Sequence, residues 1–242
     1  MFGRRRSAGN RDLDDEVTVA EETSADEAQG QQIGPWDAAD AHPELPRVDL
    51  GSLQVPVLEG TDIQLVFAEQ HGAWVTVRHQ LSEMQLQAFA APKRSGLWDD
   101  VRGEIATEIA GTGGQSAERE GPFGTELLAQ VPAEPGQPGS GVRPLRFVGV
   151  DGPRWFLRAL LAGAAAADPA AAAPLEAVFS QVVVVRGDQP MPPRDLLELR
   201  LPAEAAAALE EQARAQQEEQ QQNRFGTVPN PFERGPEMTE TR

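Results

Sequence analysis

The sequence predicts an α+β fold: a mainly antiparallel sheet of about six to seven strands packed by two helices, with disordered N- and C-terminal tails. The first observation is a series of short apolar segments joined by hairpin turns, which favours antiparallel pairing. The second is a pair of segments with helical spacing of their apolar residues. The third is a hairpin that is apolar on both sides, which predicts layers on both faces of the sheet.

Four strands are predicted first, at residues 53–57, 63–68, 73–79 and 84–90. Pro56 cannot donate a backbone hydrogen bond, so the first strand is predicted as an edge or a lead-in. The second and third flank a short loop that contains Gly72, which is typical of a β-hairpin. Alternation in the third strand predicts that Trp74 and Arg78 share one face and that Val75 lies on the other.

The two helices are predicted at residues 97–110 and near 174–182. Apolar residues recur at every fourth position of the first helix: Leu97, Val101, Ile105 and Ile109. Trp98 extends this stripe at the helix start. Asp168 and Pro169 are predicted as the N-cap and the first residue of the second helix.

Three more strands are predicted at residues 123–131, 145–150 and 154–162, and residues 182–185 can begin a last one. The dipeptide Asp151-Gly152 is a strong turn signal, so two of these strands form a hairpin. One face of the hairpin carries Val148, Val150, Trp155 and Leu157, and the other carries Leu145, Phe147, Phe156 and Leu160. A hairpin of this kind is predicted to lie between two layers.

Composition divides the chain into an acidic tail at 1–33, a single domain at 34–202 and a second tail at 203–242. The first tail has no aromatic residue after Phe2, which predicts disorder. Residues 203–222 are rich in Ala, Glu and Gln and predict a frayed helix before a disordered end. The domain carries 22 acidic and 13 basic residues. Because this net negative charge repels phosphate backbones, we expect no nucleic-acid partner.

The chain contains no cysteine, which excludes a disulfide scaffold, a thiolate metal site and a cysteine nucleophile. It has no run of about 18 apolar residues, so we expect no membrane span and no membrane partner. The start MFGRRR is followed by an acidic segment instead of the apolar region of a signal peptide. We therefore expect a cytoplasmic protein.

Catalytic constellations, phosphate-binding loops and cofactor motifs are not recognisable in the sequence. We therefore predict no catalytic residue and no cofactor. His71 and His79 lie on strands that can pair, where a weak metal site and two exposed histidines are the alternatives. We therefore predict no metal ligand, since three or four convergent ligands are needed.

Three residues are candidates for ligand binding: Arg154, Arg158 and Trp98. The two arginines are predicted on one strand face with Phe156. If that face is buried, Arg158 needs a partner, because an unpaired buried charge is costly. The functional alternative is an anion-binding arginine in a groove near Trp98. The structural alternatives are an ion pair or an arginine whose head reaches solvent at the sheet edge.

The C-terminal tail contains a compact apolar cluster. Its candidate partner-docking residues are Phe225, Val228, Asn230, Pro231 and Phe232. Disordered segments normally lack aromatic residues, so this cluster is predicted to dock on a partner. The alternatives are that it folds back on its own domain or is a passive extension.

Six segments occur in an order that resembles one known family. They are GPWD at 34–37, RVDLGSL at 47–53, LQAFAA at 86–91, GPFG at 121–124, VGVDGPRWFLR at 148–158 and PPRDLL at 192–197. The family is the actinobacterial domain-of-unknown-function family numbered 3710, and the resemblance implies no reaction, ligand or catalytic residue. The element order also resembles the Mog1/PsbP-like fold, whose members commonly act as binding or accessory modules.

Two functional hypotheses follow. The first is a non-enzymatic protein-interaction or accessory module that binds an unidentified protein partner. The alternative is a small-molecule or anion-binding domain, or an enzyme of unknown activity, with a pocket near Arg154 and Arg158. A concave pocket with convergent polar groups distinguishes the second hypothesis from the first.

Overall fold

The structure is a computed structural model that describes residues 33–69, 72–93, 96–132, 141–202, 204–208, 211, 214 and 215. The chain divides into two units between Ile33 and Gly34, and every element below belongs to the second unit. The predicted N-terminal tail and the cluster at 225–232 lie outside the described residues, except for Ile33. Residues 204–208, within the predicted frayed helix, are helical.

The strands are β1 (Trp36–Asp37), β2 (Arg47–Asp49), β3 (Leu53–Pro56), β4 (Asp62–Ala68), β5 (Gly72–His79), β6 (Ser82–Ala90), β7 (Gln115–Gly121), β8 (Gly124–Pro132), β9 (Val142–Gly152), β10 (Trp155–Gly163) and β11 (Val183–Val184). The helices are α1 (Trp98–Gly111) and α2 (Pro169–Ser180), with a 3₁₀ turn at Ala164–Ala166. None of the described helices is both long and apolar enough to cross a membrane.

The larger sheet has seven strands in the order β4-β5-β6-β10-β9-β8-β7, and every neighbouring pair is antiparallel. This sheet and the two helices confirm the predicted α+β class. The polar strand β7 was not predicted, because its sequence QSAEREG lacks apolar alternation. It forms one edge of the sheet, where both of its faces are largely exposed.

The smaller sheet has the order β1-β11-β3-β2. Strand β3 pairs on both sides, with β11 and with β2, so the prediction of an edge strand is wrong. Pro56 is tolerated because it is the last residue of the strand, where the ladder ends.

The central hairpin of β9 and β10 is buried on both faces, as predicted. Val148, Trp155 and Leu157 belong to one core, which also contains residues of α2 and β3. Phe147 and Phe156 belong to a second core beneath α1. The large sheet is therefore the middle layer, with α2 on one face and α1 on the other.

The turn of this hairpin lies two residues later than predicted. Asp151 and Gly152 still belong to β9, where they pair with Phe156 and Trp155. The turn is formed by Pro153 and Arg154, and Arg154 has a φ of 63°. Proline followed by a residue of positive φ is typical of a type II turn.

Asp168 is the N-cap of α2, as predicted. Its carboxylate Oδ1 accepts a hydrogen bond of 2.9 Å from the backbone N–H of Ala170, and Pro169 is the first helical residue. Leu175, Val178 and Phe179 of this helix are buried against the large sheet. The helix thus covers the sheet face that carries Trp155.

Candidate functional site: a cavity beside α1

The face of the large sheet on the α1 side is only partly covered. Helix α1 packs mainly on β7, β8 and β9. Across β4, β5 and β6 the same face carries exposed or half-buried polar side chains: Gln64, Arg78, Glu83, Gln85 and Gln87. The boundary between the covered and the open half lies beside β6 and β10.

A cavity of about 190 Å³ lies at this boundary. Its lining residues are Phe89, Leu97, Val101, Glu104, Phe156, Arg158 and Arg194. The rings of Phe89 and Phe156 stack with their centroids 5.8 Å apart, which gives the cavity an apolar wall. Two arginines and one glutamate supply the charged groups. The cavity is therefore amphipathic.

Arg158 projects from β10 into this cavity wall. Its Nη2 donates a short hydrogen bond to Oε1 of Gln87, and its guanidinium carbon lies 5.4 Å from the ring centroid of Phe89. No acidic residue in the described part of the chain forms a salt bridge with it. Burial lowers the pKa of Arg158, and the negative charge of Glu108 opposes that shift. The guanidinium remains a cation, with N–H donors beyond the one that Gln87 occupies.

Arg194 lies on the other wall, where it is paired. Its Nη1 donates to both carboxylate oxygens of Glu104, at 2.7 and 3.0 Å, and this hydrogen bonding raises the pKa of Arg194. Backbone pairing holds it in place, because its N–H donates to the carbonyl of Ala90 at 2.7 Å. Arg194 has a φ of 74°, so the chain turns sharply at this position.

Trp98 positions α1 and does not line the cavity. It is buried, its ring stacks on Phe156 at 5.9 Å, and its Nε1 donates to the carbonyl of Thr125 at 2.6 Å. The ring lies against Gly149, where an added Cβ would come within 2.3 Å of it.

Asp151 fixes the start of the same helix. Its carboxylate accepts hydrogen bonds from the backbone N–H groups of Leu97 at 2.7 Å and Trp98 at 3.2 Å. The start of the helix is therefore capped by a residue of β9 that is distant in sequence. Asp151, which the sequence predicted in a turn, thus caps a helix instead.

Arg154 is separated from Arg158. It lies in the β9–β10 turn and is not among the residues that line the cavity. Its carbonyl accepts hydrogen bonds from the N–H of Ala91 at 2.9 Å and from Nε of Arg186 at 3.2 Å. The prediction that the two arginines share a strand face is wrong, because the turn includes Arg154.

Residues 34–208 match the family described as "Protein of unknown function (DUF3710)". The chain belongs to the DUF3710 family. No curated protein and no solved structure matches the chain. The likeness to the Mog1/PsbP-like fold therefore stays a prediction.

The opposite face of the DUF3710 domain holds a second buried arginine. Arg146 on β9 forms salt bridges of 2.6 Å with Glu126 and with Glu176 of α2. Arg119 on β7 forms a further salt bridge of 2.6 Å with Glu126. The Nη2 of Arg146 has no hydrogen-bond partner in the described part of the chain. We call these four residues the buried ion cluster.

Sequence reasoning missed four residues of the DUF3710 cavity and its surroundings: Gln87, Phe89, Glu104 and Arg194. Gln87, Phe89 and Arg194 lie in the segments on which the resemblance rests, which was the available signal. Glu104 is an ordinary helical glutamate until Arg194, 90 residues away, is placed beside it.

Most of the remaining candidate residues lie where the structure does not describe the chain. The docking candidates Phe225, Val228, Asn230, Pro231 and Phe232 lie outside the described residues, as does His71. His79 has its Nδ1 3.0 Å from the carbonyl oxygen of Gly60. Where the structure describes the chain, it brings no three potential metal ligands together.

Proposed function

We propose that the DUF3710 domain is a binding module, and that the cavity beside α1 holds a ligand with a carboxylate group on a short apolar body. One observation carries the proposal. The guanidinium of Arg158 is half-buried on the wall of an amphipathic cavity, and no carboxylate in the described residues pairs with it.

The chemistry of the walls selects the ligand class. A partly desolvated guanidinium gains most from an anion that accepts two of its hydrogen bonds, as a carboxylate does. The rings of Phe89 and Phe156 favour an apolar group next to that carboxylate. A volume of 190 Å³ is below the about 300–1,000 Å³ of sites for drug-sized ligands. The ligand is therefore small.

The same walls favour binding over catalysis. Among the described residues that line this cavity, Glu104 is the only carboxylate, and each of its oxygens accepts a hydrogen bond from Arg194. A general base must reach the proton that it removes at hydrogen-bond distance, and here the donor at both oxygens is a permanent cation. We therefore propose a non-enzymatic role.

The ligand can come from either of two sources with this shared chemistry: a free small acid, or the acidic side chain of a protein partner. If the carboxylate belongs to a protein partner, the cavity is part of a protein-interaction surface. A cytoplasmic location is part of the same proposal, with neither nucleic acid nor membrane as a partner. Cell fractionation against a cytoplasmic marker tests the location.

Titration of the full-length protein tests the proposed ligand class by calorimetry. Hexanoate and benzoate represent free small acids, N-acetylglutamate amide represents an acidic side chain, and inorganic phosphate controls for charge alone. We expect saturable binding of at least one carboxylate, with phosphate weaker. Arg158→Gln should weaken it about ten- to hundredfold.

Arg143→Gln is the matched control, because Arg143 is exposed on β9 and loses the same charge. It should bind like the wild type. Absence of binding by all three carboxylates, or equal weakening by the two variants, would show that Arg158 does not anchor such a ligand.

A further inference from the structure

The two edge strands of the large sheet, β7 and β4, differ in their charged residues, and neither strand has a role in the proposed function. The edge strand β7 carries Glu118, Arg119 and Glu120, and charged side chains protect an exposed strand from pairing. The other edge strand, β4, has the sequence DIQLVFA, in which Asp62 is the only charged residue. Its Phe67 is 59 % exposed.

Strand β4 also has backbone groups available for pairing. It is hydrogen-bonded to β5 on one side and lies at the end of the strand order. No backbone–backbone hydrogen bond from the described residues reaches its outer side. A mainly apolar edge strand of seven residues is a template for another strand.

We propose that β4 pairs antiparallel with β4 of a second copy of this chain, around a two-fold axis at Leu65. Leu65 then lies opposite Leu65 of the second copy, and Ile63 lies opposite its Phe67. The side-chain period of a strand is two, so these residues share one face of the continuous sheet. The exposed ring of Phe67 gains an apolar cross-strand neighbour.

The self-complementarity of this register favours a second copy over an unrelated peptide. On the other face, Gln64 lies opposite Val66 and Asp62 lies opposite Ala68, so no like charges are directly opposed. A two-fold interface is formed by the same patch on both copies, so each contact between two different residues occurs twice.

The size and charge of the interface set its strength. One strand of seven residues buries less than the about 800 Å² per partner of a standard interface, so we expect a weak dimer with a micromolar dissociation constant. Asp62 and Glu69 flank the two ends, and the chain carries a net charge of −17. Salt screens this repulsion, so association should tighten as NaCl is added.

Analytical ultracentrifugation of the full chain, from about 1 to 500 μM, tests the proposal. We expect a monomer–dimer equilibrium that Phe67→Lys weakens by about tenfold or more, because it introduces a charge into the apolar row. Leu81→Lys is the matched control, because Leu81 is 86 % exposed at the β5–β6 turn. It should leave the dimer unchanged, and circular dichroism should show that both variants fold.

A cross-link reports the register independently, because the chain has no cysteine of its own. Oxidised Leu65→Cys should form a covalent dimer, whereas Leu81→Cys should not. A wild-type chain that stays monomeric at the highest concentration would overturn the proposal. A dimer that Phe67→Lys does not weaken would overturn it too, as would a Leu65→Cys variant that does not cross-link. Because none of these measurements involves the cavity, their failure leaves the proposed ligand class untouched.

Discussion

Two arginines of the central hairpin, Arg146 and Arg158, lie on opposite faces of one sheet and have different surroundings. Arg146 on β9 faces α2, is almost completely buried, and is paired with Glu126 and Glu176. Arg158 on β10 faces the cavity, is half-buried, and has Gln87 as its hydrogen-bond partner. The same hairpin thus carries the same charge into two environments.

Under the proposed function, this difference separates a charge that stabilises the fold from a charge that binds a ligand. The cost of burying Arg146 is offset within the fold, since its carboxylate partners are part of the core. No carboxylate in the described residues forms a salt bridge with Arg158, and the charge of Glu108 acts on it without direct contact, so an incoming anion can pair with it. A buried arginine is a candidate for ligand binding when it lines a cavity and also forms no salt bridge within the described residues.

Trp155→Ala should give the largest loss of stability, because it leaves a cavity in the core that faces α2. Trp155 is 1 % exposed and its Nε1 donates to Oδ2 of Asp37 at 2.6 Å. We expect a loss of about 3–5 kcal/mol in the free energy of unfolding, measured by urea denaturation. A loss below about 1 kcal/mol would contradict the placement of this side chain in the core.

Arg146→Met tests the structural half of the comparison. It leaves Glu126 buried with only Arg119 as its partner, so we expect a loss of about 3 kcal/mol. The double variant Arg146→Met with Glu126→Leu should recover part of that loss, because it also removes the stranded carboxylate. Losses that simply add would show that the two side chains are energetically independent.

Asp151→Ala tests the cap that joins the hairpin to α1. Two N–H groups at the helix start lose their acceptor, which should cost about 1 kcal/mol. Carboxylate binding should also weaken, since Leu97 and Val101 of α1 line the cavity. Unchanged stability together with unchanged binding would rule out this role for Asp151.

Arg158→Gln should have the smallest effect on stability, within about 0.5 kcal/mol of the wild type without ligand. No described carboxylate is stranded by this change, in contrast to Arg146→Met. A loss as large as that of Arg146→Met would show that Arg158 is a structural residue and would remove the basis of the comparison.

The fold was predictable from the sequence where apolar residues alternate. The two-faced burial around Phe147 and Trp155 follows directly from their positions on the hairpin. The edge strand β7 was not predictable, because an exposed strand of polar residues has no apolar period. The turn was misplaced because the carboxylate of Asp151 caps a helix that is distant in sequence.

The site was predictable only in part, for a related reason. Arg158 stood out because a charge on an apolar strand face needs an explanation. Arg194 and Glu104 lack such a signal, because neither residue stands out in its own segment. They are 90 residues apart in the sequence, and the fold brings them into contact. That no described carboxylate forms a salt bridge with Arg158 is a property of the three-dimensional structure alone.

The side-chain Nε–H signals of the arginines in a ¹H–¹⁵N NMR spectrum test the central claim most directly. Arg158→Gln and Arg146→Gln identify the two signals, each by its loss from the wild-type spectrum. On titration with hexanoate or benzoate, the account predicts a saturable shift of the Arg158 signal and a stationary Arg146 signal. A stationary Arg158 signal throughout the titration, or equal shifts of both, would contradict the proposal that Arg158, which forms no salt bridge within the described residues, anchors a carboxylate in the cavity.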